Sequence, residues 1–187
     1  MVKKKACIFI SGSGTNLRAI IKNSRDYNFP INVSLVISNK KDARGIYFAK
    51  KFSIPHIILD FQKEKFEKIA IKELLDRKIG LLCLAGFMKV LSKRFIRSFK
   101  GKIINIHPSL LPKYKGLNTF KRILNDGEKI TGCTVHFVDE KLDNGNIIVK
   151  KRVSINKKES LEQLKKKVQS EEYKAYSVAI RKIYNLN

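Results

Sequence analysis

Lys5-Ala-Cys-Ile-Phe-Ile-Ser-Gly-Ser-Gly-Thr-Asn16 sets a short apolar run directly against a glycine-rich turn. An apolar run without polar alternation is what a strand buried on both faces requires. Gly12 and Gly14 let the backbone reverse tightly, and the apolar spacing that resumes over Asn16–Ser24 fits a helix. Strand, turn and helix make the first half of a βαβ unit.

The same grammar repeats outward from this stretch. Strands are predicted at Lys5–Ser11, Val33–Ser38, His56–Leu59, Leu81–Ala85, Ile103–Ile106, Thr134–Val138 and Ile147–Val153. Helices are predicted at Asn16–Ser24, Ala43–Phe52, Lys63–Lys78 and from about Ser160 to Tyr184. In Lys63–Lys78, Phe66, Ile69, Ala70 and Leu74 share one face, with Lys63, Lys65, Lys68 and Lys72 turned outward. In the last helix Leu161, Leu164, Val168, Ala175, Val178, Ala179 and Ile183 make one stripe, and Ser160 with Gln163 has the pattern of a capping box. Alternating strands and helices predict an α/β, Rossmann-like, doubly wound and mostly parallel sheet flanked by helices. The last two strands are expected to form an antiparallel hairpin around Asp139–Asn146, followed by the long terminal helix. With no repeat, low-complexity tract or linker, residues 1–187 are read as one domain.

The formal net charge is +24, with 40 Lys and Arg against 16 Asp and Glu. Such a balance can mark a nucleic-acid binder. Here the lysines are scattered along the chain, so the charge reads as a solvated surface that also attracts anionic substrates. Nucleic acid is therefore not the expected partner. Cys7, Cys83 and Cys133 sit singly in apolar segments without CxxC spacing, which argues for core thiols in a reducing, cytoplasmic compartment and against a zinc site. Near the N-terminus the apolar stretch breaks at once into Ser-Gly-Ser-Gly, which is turn chemistry rather than a signal peptide. No apolar run is long enough to span a membrane.

Three features carry chemistry. The loop Ser11–Asn16 aims backbone N–H groups into a concavity at a helix N-terminus, which suits a phosphate. It is neither the dinucleotide fingerprint, since Leu17 replaces the third glycine, nor a P-loop, and a strand-to-helix turn needs small residues in any case. Asn105 and His107, in Asn105-Ile-His-Pro-Ser-Leu-Leu-Pro112, stand at i and i+2, so a strand would aim both to one side. At a strand's carboxyl end they occupy the place where open α/β sheets bind ligands. Amide and imidazole together can hold and protonate an oxyanion, while the plainer reading is a polar strand end. Asp143, in Leu142-Asp-Asn-Gly145, is either a turn residue or the proton acceptor of that pair, if the turn folds back over His107.

Taken together, Ile10-Ser-Gly-Ser-Gly-Thr-Asn-Leu17, Leu84-Ala-Gly-Phe-Met-Lys-Val-Leu91, the Asn105–Pro112 run, Gly132-Cys-Thr-Val-His-Phe-Val138 and Leu142–Gly145 resemble the phosphoribosylglycinamide formyltransferase family, across nearly the whole chain and in order. The resemblance implies formyl transfer from 10-formyltetrahydrofolate to the amine of glycinamide ribonucleotide in purine biosynthesis, without a metal. By the same resemblance Asn105, His107 and Asp143 are catalytic. Ser13, Gly14, Thr15, Asn16, Gly86, Pro108, Gln169 and Glu172 match positions holding the ribonucleotide and its phosphate. Gln169 and Glu172, at i and i+3, share one helical face. Met88, Lys89, Val90, Leu91, His136 and Glu140 match the folate pocket.

The chain departs from the family pattern at Lys89, where an arginine is usual, at Phe120, where a more polar residue is expected, and at Asn146, where proline is expected. Lysine offers a point charge in place of a bidentate grip on a carboxylate. Two relatives with the same fold remain as alternatives, formyltetrahydrofolate deformylase and methionyl-tRNA formyltransferase. The first usually has an extra N-terminal domain and the second a C-terminal RNA-binding one, and this chain is expected to carry neither. Gly116-Leu-Asn118 also differs from the loop of the tRNA enzyme. A non-catalytic basic nucleic-acid-binding domain is a further alternative. Either a monomer or a homodimer fits the sequence.

Overall fold

The computed structural model describes residues 2–60 and 62–185. In chain order the elements are β1 (Lys4–Ile10), α1 (Thr15–Ser24), β2 (Ile31–Ser38), α2 (Gly45–Lys51), β3 (His56–Ile58), α3 (Lys63–Asp76), β4 (Leu81–Leu84), α4 (Lys93–Ser98), β5 (Lys102–His107), α5 (Thr119–Asn125), β6 (Ile130–Phe137), β7 (Ile147–Ser154) and α6 (Leu161–Ile183). The strand order is β3-β2-β1-β4-β5-β6-β7. β1 runs parallel to β2 and β4, β2 runs parallel to β3, and β6 and β7 are antiparallel. This is the mostly parallel α/β sheet with an antiparallel C-terminal pair that the sequence predicts. The contacts fall into two compact units, Met1–Ile104 and Asn105–Asn187, with the division inside β5.

In the first unit the predicted strand β1 is buried from Ala6 through Ile10. Phe9 sits in an aromatic cluster with Phe66 (5.7 Å, edge-on), Phe87 (5.3 Å) and Phe95 (6.1 Å). Each such side chain contributes roughly 1.5–3 kcal/mol by leaving water. The outward lysines Lys65, Lys68 and Lys72 of α3 are exposed, as expected, while the side chain of Lys63 lies outside the described residues. Phe66, Ala70 and Leu74 are fully buried and Ile69 only half-buried.

In the second unit α6 packs along β6 and β7. Its capping box forms as read: Gln163 N–H donates to Ser160 Oγ, and Ser160 N–H donates to Gln163 Oε1. The buried stripe is Leu164, Val168, Glu172, Ala175, Tyr176, Ala179 and Ile180. It is rotated from the predicted one, leaving Leu161, Val178 and Ile183 half-buried. Apolar spacing alone did not select a face that includes a glutamate and a tyrosine.

Two elements are absent from the sequence reading. α4 and α5 have six and seven residues, too few for a helical period to stand out. α4 is marked instead by Ser92, whose Oγ accepts from Phe95 N–H at 3.0 Å. The hairpin connection, predicted at Asp139–Asn146, is closed by Phe137 N–H donating to the Asn146 carbonyl at 2.9 Å. All three cysteines are free and buried. Burial pushes the Cys133 thiol up to about 12 and those of Cys7 and Cys83 well above the ordinary range.

Gly132, in β6, lets β7 come close, because a Cβ there would fall onto the Lys151 carbonyl. Gly132→Ala is expected to cost about 1–3 kcal/mol, read as a lower denaturant midpoint. An unchanged midpoint would mean that the two strands are not so tightly apposed.

Candidate active site

β5 presents Asn105 and His107 two residues apart, hence on one side. His107 is buried and Asn105 half-buried. The hairpin connection between β6 and β7 returns Asp143 to the same place, in left-handed backbone (φ 47°) and buried. Gly145, two residues on, is packed so closely under the end of β6 that a Cβ would strike the Phe137 carbonyl. The Asp-Asn-Gly turn is thus shaped by contact as well as by turn propensity.

The Asp143 carboxylate gathers the cluster. Oδ2 lies 3.2 Å from His107 Nδ1 and accepts the Gly116 N–H at 2.9 Å. Oδ1 accepts from Asn105 Nδ2 at 3.4 Å and lies 3.7 Å from His136 Nε2. The other nitrogen of His107, Nε2, is 2.8 Å from the Tyr114 carbonyl. Both ring nitrogens of His107 therefore face atoms that only accept. A neutral imidazole has one N–H, so the imidazolium is the form that satisfies both neighbours.

His136 is arranged the other way. Its Nδ1 donates to the Phe137 carbonyl at 2.7 Å, and Nε2 is 3.3 Å from Asn105 Nδ2. Nε2 is then a lone pair accepting from the amide, as a neutral ring requires. Burial holds this imidazole below the usual histidine range, against the opposing pull of the Phe137 carbonyl and of Asp143. Two histidines beside one carboxylate thus meet opposite hydrogen-bond demands, His107 facing two acceptors and His136 one acceptor and one donor. Both Asn105 N–H contacts are long, 3.3 Å to His136 and 3.4 Å to Asp143, so the amide is loosely held at this position.

The other predicted residues fall as follows. Pro108 is half-buried directly after His107. Glu172 is buried on the inner stripe of α6, one turn from half-buried Gln169, so the pair is not a patch of ordinary exposed polar residues. Glu140 is exposed in the hairpin connection, whereas His136 is buried against Asn105. Phe120 is half-buried in α5, and Asn146 uses its carbonyl to close the hairpin.

In the first unit the glycine loop begins α1 with no side-chain cap. Ser13 is exposed, Thr15 half-buried and Asn16 buried. Gly14 is left-handed (φ 70°), and a Cβ there would meet the backbone of Gly45. Gly86 is also left-handed (φ 70°). Because Phe87 is drawn into the aromatic cluster, Met88, Lys89 and Val90 are thrown outward and exposed, and Leu91 returns to the core. Ser11 braces the two loops: its N–H donates to the Gly86 carbonyl, its Oγ accepts from Met88 N–H at 2.8 Å and donates to Asn39 Oδ1 at 2.6 Å.

The sequence reading missed Tyr114 and Gly116, which hold His107 and Asp143, and also the Ser11–Asn39 brace. Backbone groups leave no residue signature, and only the glycine at 116 hinted at unusual backbone. Among the described residues no group of three or more His, Cys, Asp or Glu could hold a metal ion, and no helix is long and apolar enough to cross a membrane.

The formyl transferase family profile matches residues 4–180. The phosphoribosylglycinamide formyltransferase of Haemophilus influenzae is 41% identical over 182 residues, covering 95% of this chain and 86% of that protein. The trifunctional purine biosynthetic protein adenosine-3 of Gallus gallus is 38% identical over 96% of this chain, which spans only 18% of that longer protein. Among solved structures, glycinamide ribonucleotide transformylase 1 from Symbiobacterium toebii superposes with a TM-score of 0.93 at 34% identity, covering 98% of this chain and 88% of that one. A match that takes in the β5 pair, the hairpin aspartate and the glycine loop alike leaves one conclusion: the chain belongs to the formyl transferase family.

Proposed function

We propose that this chain transfers the formyl group of 10-formyltetrahydrofolate to the primary amine of glycinamide ribonucleotide, and that residues 1–187 act as one formyltransferase domain. The observation that carries the reading is a single buried carboxylate, Asp143, within 3.4 Å of both Asn105 Nδ2 and His107 Nδ1, in a chain similar over almost its whole length to phosphoribosylglycinamide formyltransferases.

The amine of the ribonucleotide attacks the formyl carbon, and the carbonyl oxygen becomes an oxyanion. The His107 imidazolium supplies positive charge beside that oxygen, in surroundings where water screens little. The Asn105 amide turns its weakly held N–H from Asp143 to the oxyanion. Asp143 takes the proton of the attacking amine, directly or through a water, and so allows the tetrahedral intermediate to collapse. A proton then reaches the folate nitrogen as the C–N bond to it breaks. His136, neutral and hydrogen-bonded to Asn105, holds the amide in the orientation this needs, and with Glu140 it belongs to the folate side of the reaction.

Ser13, Gly14, Thr15 and Asn16 are assigned to the phosphate of the ribonucleotide, and Gly86, Pro108, Gln169 and Glu172 to the rest of it. Met88, Lys89, Val90 and Leu91 are assigned to the folate. For Leu91 the part played is to anchor the segment, since its side chain is buried. Lys89 offers a folate carboxylate a single point charge. The reaction belongs to purine biosynthesis, in the cytoplasm, and needs no nucleic-acid partner.

Formyl transfer is to be measured with glycinamide ribonucleotide, charged methionyl-tRNA and water as competing acceptors. Formylated ribonucleotide is the expected main product, and a preference for either of the others overturns the substrate assignment. Asn105→Ala and His107→Ala should each lower turnover by about 10²–10³-fold. Asp143→Asn should lower it at neutral pH by at least ~10²-fold, and full turnover in that variant would remove Asp143 from proton transfer.

A further inference from the structure

We propose that Tyr114 is a positioning residue for His107: its phenol, bound to Asp126 and Glu128, fixes the backbone carbonyl that holds the imidazole. The proposal rests on the reading of His107 as a catalytic residue, and its test separates the two.

Tyr114 lies in the irregular segment between β5 and α5. Tyr114 (φ 59°), Gly116 (φ 78°) and Asn118 (φ 56°) all adopt left-handed backbone. For a tyrosine that conformation is costly and persists only where the surroundings impose it. The surroundings here are specific. The phenolic O–H is shared between Asp126 Oδ2 at 2.8 Å and Glu128 Oε1 at 3.0 Å. Lys113 Nζ donates to the same Glu128 Oε1 at 2.8 Å, and the Arg122 guanidinium lies 5.4 Å above the Tyr114 ring. Arg122 Nη1 also donates to the Lys115 carbonyl at 2.7 Å. Lys113 first, and Tyr114 second, hold the Glu128 carboxyl below its ordinary range, so the acceptor is anionic and the bond charge-assisted.

The backbone between these anchors does two things at the cluster. The Tyr114 carbonyl meets His107 Nε2 at 2.8 Å, and the Gly116 N–H meets Asp143 Oδ2 at 2.9 Å. One three-residue stretch therefore holds both His107 and its carboxylate partner. The phenol touches neither; it acts through the peptide. A phenylalanine at 114 would keep the ring and the cation above it, removing only the hydroxyl that prevents the stretch from sliding.

The test is Tyr114→Phe, compared with Asp126→Ala/Glu128→Ala and with the triple variant. Turnover should fall by roughly ten-fold with KM for both substrates nearly unchanged, as expected when a catalytic group is displaced while substrate binding is kept. The downfield proton signal of His107 Nε2–H should exchange with water faster than in the parent protein. The triple variant should be no worse than the worse of its parents, because hydroxyl and carboxylates act as one unit. Unchanged turnover and exchange in Tyr114→Phe, an effect confined to KM, or full additivity in the triple variant would each overturn the proposal. If the parent protein formylates nothing, the functional reading fails. The Nε2–H signal, which needs no substrate, then still decides whether the phenol tethers His107.

Discussion

A charge taken out of water must be met by donors or it does not stay charged. Asp143 is buried to 7% exposure, and the second unit is arranged so that its carboxylate finds an imidazole N–H, a backbone N–H and a side-chain amide. That one requirement explains features otherwise unrelated. β5 must place Asn105 and His107 two apart, because one carboxylate has to reach both. The hairpin connection must enter left-handed space at Asp143 and pass close to Phe137 at Gly145. The segment after β5 must bring the Gly116 N–H back to Asp143.

The same constraint sorts the two histidines. His107 is placed between a carboxylate and a carbonyl, both of which only accept. His136, held between a carbonyl and an amide N–H, meets one acceptor and one donor. The different surroundings of the two rings are fixed by their hydrogen-bond partners, not by residue type.

Much of this is legible in the sequence where a residue's own chemistry or period decides the outcome. The run through Ile10, the glycine loop and the hairpin between two β-rich segments announce the sheet, because burial on both faces leaves an apolar signature. Asn105 and His107 announce a shared side because the strand's period is two. Their meeting with Asp143 is not legible, since it depends on where a turn folds back in three dimensions. Nor is the rotation of α6 that buries Glu172 and Tyr176, which apolar spacing would place elsewhere. Tyr114 is the sharpest instance. Its carbonyl meets His107 while its side chain faces Asp126 and Glu128, and the letter tyrosine says nothing about either.

Around one carboxylate, His107 is offered two acceptors and His136 one acceptor and one donor. The direct test is a nitrogen-15 spectrum of the imidazole rings of the substrate-free protein at neutral pH, assigned by replacing each histidine in turn. The account predicts two protonated nitrogens on His107, and on His136 a protonated Nδ1 with a bare Nε2. A neutral His107, or a charged His136, would contradict it.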